Sequence, residues 1–88
     1  MVERSVLVQS PTGLHARPAA LFVKAAAKFS SKIKVVNGSR EVDAKSILGV
    51  LSLGAHQGVT VTLKAEGPDA DAALEHLVGL IESQFGEA

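Results

Sequence analysis

Residues 59 to 66 read VTVTLKAE, a strict alternation in which Val59, Val61, Leu63 and Ala65 fall on one face. Thr60, Thr62, Lys64 and Glu66 fall on the other. Successive side chains of an extended chain point to opposite sides, so this period of two specifies a strand buried on one face and wet on the other. A sheet built around such a strand can be covered on one side only. Helices packed on one side of the sheet, with its other face wet, are the expectation.

The remaining segments fit around it. Val2 to Val8 is rich in valine and leucine and reads as a first strand ending at Gln9-Ser10-Pro11. Pro11, Thr12 and Gly13 form a loop. An alanine-rich helix is predicted from Ala16 to about Lys28, stopping near Ser30-Ser31. Ile33 to Val36 is a short strand, Asn37-Gly38 a strong hairpin signal, and Arg40 to Asp43 the returning partner. Ser46 can cap a short helix that runs to Leu53 and stops at Gly54. Gly67-Pro68 ends the alternating strand, and Asp69 or Asp71 opens a last helix carrying Leu74, Leu77, Val78 and Ile81. The order is βαββαβα. The expected fold is α/β (α+β): a two-layer open-faced sandwich, its four-stranded sheet mostly antiparallel and its three helices on one face. Residues 1–88 are expected to form a single domain.

Composition narrows function by exclusion. Nine basic and nine acidic residues cancel among 88, and there is no Trp, no Tyr and only three Phe. Nothing global therefore points to nucleic acid or a membrane surface, and no aromatic platform for stacking bases is available. The absence of cysteine removes disulfide and thiolate chemistry. MVERSVLVQS, with acidic Glu3 and a broken apolar run, reads as neither signal nor transit peptide. No apolar stretch approaches the ~20 residues of a membrane helix. A cytoplasmic protein is the expectation.

GLHARPAA, residues 13 to 20, is the one stretch with candidate reactive chemistry. His15 stands just before the predicted helix start at Ala16. A free histidine titrates near ~6.5, so a neutral ring nitrogen is available as a nucleophile near neutral pH. The first amides of a helix have no internal partner and the positive end of its dipole points outward, which favours an anion. Pro18 is compatible with a first turn, and Ala16 and Arg17 still contribute N–H groups. The Arg17 guanidinium suits phosphate oxygens. Two readings of His15 are therefore open: an incidental polar residue, which is commoner, or a seat for carrying phosphate. His56 and His76 show no metal-ligand spacing and read as ordinary surface or loop residues. Neither a metal nor a cofactor is expected.

On a helical wheel of about 100° per residue, Ala19, Phe22, Val23, Ala26 and Phe29 gather as the core side of the first helix. Arg17, Lys24 and Lys28 gather opposite, with Ala20 and Leu21. This is either a solvated basic face or a docking stripe for an acidic partner. In the short helix Ile47, Leu48 and Leu51 cluster, while Val50 and Leu53 lie on the far side. A helix on a one-sided sheet needs one apolar stripe, so one cluster is exposed as a partner site unless loops around 54 to 58 cover it. Ser46 is a helix cap contributing about 1 kcal/mol, or a kinase site whose phosphate would set negative charge beside the apolar patch.

GLHARPAA around the histidine, AKSILGVLSLGAHQG at residues 44 to 58, and NGSREVDAKS leading into the serine together resemble the HPr family. These are the histidine-containing phosphocarriers of the bacterial phosphoenolpyruvate-dependent sugar phosphotransferase system. The resemblance covers essentially the whole chain. It implies that His15 accepts a phosphoryl group from phosphorylated enzyme I and donates it to enzyme IIA domains, without turnover of its own. It also implies that Thr12, Ala16 and Arg17 surround the phosphate. Ala20, Leu21, Lys24, Lys28, Ile47, Leu48 and Leu51 would dock partners. In Gram-positive relatives the serine matching Ser46 is phosphorylated by a dedicated kinase, HPr kinase/phosphorylase. That modification slows phosphotransfer and drives binding to a catabolite-control transcription regulator. Thr12 stands where many relatives carry serine, and Leu48 and Leu51 where Gram-positive members carry methionine. ILGVLSLG nonetheless looks more like the kinase-regulated branch than the enteric one. The alternatives are a nitrogen-branch phosphocarrier, which usually differs after the serine, and a purely regulatory HPr-like protein of catabolite control, which lacks the histidine. A monomer is expected.

Overall fold

The computed structural model describes residues 1–9 and 16–83. Among them run strand β1 (Val2–Leu7), helix α1 (Ala16–Ala26), β2 (Lys32–Asn37), β3 (Arg40–Asp43), α2 (Ile47–Ser52), β4 (Thr60–Glu66) and α3 (Ala70–Glu82). The strands form one sheet in the order β1-β4-β2-β3, and every pairing is antiparallel. The expected βαββαβα open-faced sandwich is the observed architecture. Among the described residues no helix is long and apolar enough to cross a membrane.

β4 is central because its alternation lets it bury Val61, Leu63 and Ala65 while pairing on both sides. These three meet Val6 of β1, Ile33 and Val35 of β2, Phe22 of α1, Val50 of α2 and Leu74, Leu77 and Ile81 of α3 in one apolar cluster. Each fully buried side chain of this size contributes about 1.5–3 kcal/mol over its exposed state. Val23 and Phe29, expected among the core, are half-buried at its margin, as is Val78, and Ala25 is buried. The opposite face is mostly polar, with Leu7 and Val36 in register with Thr60 and Thr62. There the Ser5 and Thr62 hydroxyls lie 3.1 Å apart, and Lys64 reaches over β2 to Glu41 at 3.4 Å.

Several boundaries differ from the sequence reading by a residue or two. α1 ends at Ala26 rather than near Lys28, because Lys28 N–H and Phe29 N–H turn back to the carbonyls of Ala25 and Ala26. Those i→i−3 bonds tighten the last turn out of α geometry. The hairpin turn consists of Gly38 and Ser39, one residue later than Asn37-Gly38, since Asn37 still pairs with Arg40. Gly38 takes φ +64°, as the first central position of a primed two-residue turn requires. Val8 and Val59 lie just outside β1 and β4, yet Val8 N–H still donates to the Val59 carbonyl at 2.8 Å.

α3 opens after Asp69, but the Asp69 carboxylate does not cap it. One oxygen accepts from the amide and hydroxyl of Ser31, the other from the amide and hydroxyl of Ser30. The Asp69 amide in turn donates to the Ser31 hydroxyl at 3.1 Å. The link that follows α1 is thus fastened to the start of α3. The Ser31 hydroxyl, then the Ser30 amide, holds the Asp69 carboxyl down to about 2.

Candidate functional site

α1 starts at Ala16, the residue after His15. His15 and Thr12, expected to carry and to contact phosphate, lie outside the described residues. Ala16 and Arg17 are exposed in the first turn, whose amides have no helical partner, and Pro18 is buried beneath them. Pro18 fits there because a residue lacking N–H loses nothing in a first turn. With Ala19, Phe22 and Ala26 facing the core, Ala20, Leu21, Lys24 and Lys28 are all exposed, and Leu21 keeps 40% of its surface. Among the described residues Arg17, Lys24 and Lys28 make no ion pair.

α2 packs against α1 and β3. Ser46 is its N-cap, in extended backbone, with the hydroxyl accepting from Gly49 N–H at 3.1 Å. Val50 and Leu53 are buried, whereas Ile47 is 39%, Leu48 77% and Leu51 41% exposed. The loop at 54–58 does not cover them; its Ala55 is buried instead, and Gly54 at φ +66° turns the chain away after the helix. The two-sided apolar pattern of α2 therefore resolves into an anchoring side and an outward side. α1 and α2 are in contact, and each presents exposed side chains: Arg17, Leu21 and Lys24 on α1, Ile47, Leu48 and Leu51 on α2. Gly49 permits the close approach of α2 to β3, since a Cβ there would lie 3.3 Å from Val42 Cβ.

Sequence reasoning missed the side chains that fasten these helices. Lys45 Nζ donates to the Phe29 carbonyl at 2.7 Å and so ties the turn after α1 to the residues that lead into α2. Asn37 Nδ2 donates to the Leu53 carbonyl at 2.9 Å, and Arg40 Nη1 to the Ser52 carbonyl at 2.7 Å. The available signal was the lack of any basic residue in the last turn of α2, which leaves its final carbonyls to be met from elsewhere. Among the described residues no three potential metal ligands gather. The arrangement sets an exposed helix start with Arg17 in its first turn, and an exposed apolar side of α2, on two helices that are in contact.

A family model described as "PTS HPr component phosphorylation site" matches residues 2–83. Phosphocarrier protein HPr of Cupriavidus necator is 44% identical over 87 residues, covering 99% of this chain and 98% of the relative. The HPr-like protein Crh of Halalkalibacterium halodurans is 48% identical, covering 96% and 100%. The crystal structure of HPr-C-His from Thermoanaerobacter tengcongensis superposes with a TM-score of 0.97 at 55% identity, covering 100% of this chain and 99% of that one. An HPr dimer from the same organism gives 0.80 at 55% identity, covering 99% and 100%. With a family model matching residues 2–83, relatives 44% and 48% identical over nearly their whole length, and the fold of a solved HPr, the chain belongs to the HPr family of phosphotransferase-system phosphocarriers.

Proposed function

We propose that the chain is a phosphoryl relay whose acceptor is His15. A bond forms between a ring nitrogen of His15 and phosphorus as the donor's own bond to phosphorus breaks. The donor is phosphorylated enzyme I, and the recipient an enzyme IIA domain. Because the phosphoryl group passes from protein to protein, the chain needs no cofactor and completes no turnover. Arg17, with the amides around Ala16 and the Thr12 side chain, steadies the charge; Ile47, Leu48, Leu51, Ala20, Leu21, Lys24 and Lys28 meet the partner.

The observation that carries this reading is the exposed first turn of α1, with Arg17 in it, beginning one residue after the family's histidine. Purified protein incubated with phosphoenolpyruvate and enzyme I should take up acid-labile phosphate, and His15→Ala should take up none. Uptake by His15→Ala, or none by the wild type, would overturn the relay.

The similarity to Crh favours one second reading, an HPr-like regulator of catabolite control. Retention of His15 sets the chain on the phosphocarrier side. Ser46 is a shared element of both: HPr kinase/phosphorylase with ATP should place acid-stable, alkali-labile phosphate on Ser46, favouring a catabolite-control regulator over enzyme I. Failure to label, with a working kinase control, would leave Ser46 a helix cap. We take the working form to be a cytoplasmic monomer of one domain.

A further inference from the structure

We propose that Asn37 and Arg40, at the turn end of the β2–β3 hairpin, are positioning residues for partner docking: they hold the C-terminal end of α2 and with it the apolar face that meets enzyme I. The inference rests on the docking reading above. α2 has six residues, far below the roughly 12–15 that an isolated helix needs to persist. Its N-terminus is closed by Ser46, and Val50 is its one buried side chain. Its last carbonyls, which no helical amide can reach, are met from the hairpin. Arg40 donates to the Ser52 carbonyl at 2.7 Å and Asn37 to the Leu53 carbonyl at 2.9 Å. The Arg40 cation also sits at the negative end of the helix. Leu51 lies one residue before the carbonyls so held, so fraying of this turn removes part of the docking face. Asn37 is half-buried against Leu53, so it acts through the helix.

The test compares Asn37→Ala, Arg40→Ala and Leu48→Asp in phosphotransfer from enzyme I charged with phosphoenolpyruvate, alongside amide hydrogen exchange. Both hairpin variants should raise the KM for enzyme I about three- to tenfold, the range of one lost hydrogen bond, with kcat nearly unchanged. Exchange should quicken at the amides of Val50 to Leu53 while those of β4 keep their protection. Arg40→Lys, which can still donate, should recover most of the affinity. A raised KM without faster exchange in α2 would make these residues direct contacts and overturn the inference. Faster exchange with normal KM would overturn it equally. Should Asn37→Ala fail to fold, Arg40→Ala decides alone, because its side chain is exposed. A normal KM in Leu48→Asp would sink the docking reading itself and this inference with it. A raised KM there with normal KM in the hairpin variants would sink only the inference.

Discussion

At the scale of single residues, Asp69 ties stability to pH. Its carboxylate collects donors from Ser30 and Ser31, and its carboxyl is held at about 2 against an ordinary 3.8. A depressed folded pKa means the unfolded chain binds the proton more readily. The stabilisation is therefore complete above the ordinary value and is lost as pH falls from about 4 toward 2. Denaturant midpoints measured through that window should fall more steeply for the wild type than for Asp69→Asn. Equal slopes would show that the clamp contributes nothing beyond a neutral amide. The neighbouring glycine is bound to the same contact. Gly67 has φ +146°, and a Cβ there would lie 2.5 Å from Ser31 Oγ and 2.7 Å from Ser31 Cα. Gly67→Ala should cost more than about 1 kcal/mol in the same titrations, and a smaller loss would mean that the Ser31 link yields easily. None of this was legible beforehand. Asp69 reads as an ordinary helix opener, and nothing local reveals that its carboxylate serves two serines 38 and 39 residues away. Arg17, by contrast, was legible because helical period alone sets it opposite the core side of α1.

At the scale of elements, α2 shows where periodicity suffices and where it stops. Two opposed apolar clusters, one of three residues and one of two, follow from the wheel; which of them faces outward is settled by the burial of Val50 and Leu53. The fastening of the helix does not follow, because Asn37 and Arg40 belong to another element, and Asn37 had been assigned to the turn. The outward face makes a direct prediction. Leu48 is 77% exposed, so Leu48→Asp should change stability by no more than about 0.5 kcal/mol. The same variant should weaken enzyme I binding, measured by titration calorimetry; unchanged affinity would remove α2 from the docking surface. Ser46→Ala separates the cap from regulation. It deletes the hydroxyl that accepts from Gly49 N–H and should cost about 1 kcal/mol by denaturant titration. It should also leave transfer through His15 intact. A large loss of transfer would instead place Ser46 in the docking contact itself.

At the scale of the whole molecule, charge is balanced in number but not in place. The chain is formally neutral, yet Arg17 and Lys24 are exposed on α1 and Lys28 in the turn after it, and none makes an ion pair among the described residues. On the open sheet face, by contrast, Lys64 pairs with Glu41. A neutral protein with one basic face exerts little pull at long range but orients an acidic partner at short range. Such steering is screened once the Debye length falls to about 10 Å at 0.1 M salt and about 3 Å at 1 M. Apolar contacts through Ile47, Leu48 and Leu51 are not screened. Association with enzyme I should therefore slow as salt rises, while dissociation changes little. Stopped-flow binding across that range measures both rates. Lys24→Gln with Lys28→Gln should flatten the salt dependence of association and leave the dissociation rate near the wild-type value. Leu48→Asp should do the reverse, speeding dissociation while keeping the salt dependence. If association were insensitive to salt in the wild type, the basic stripe of α1 would be a solvated face and docking would belong to α2 alone.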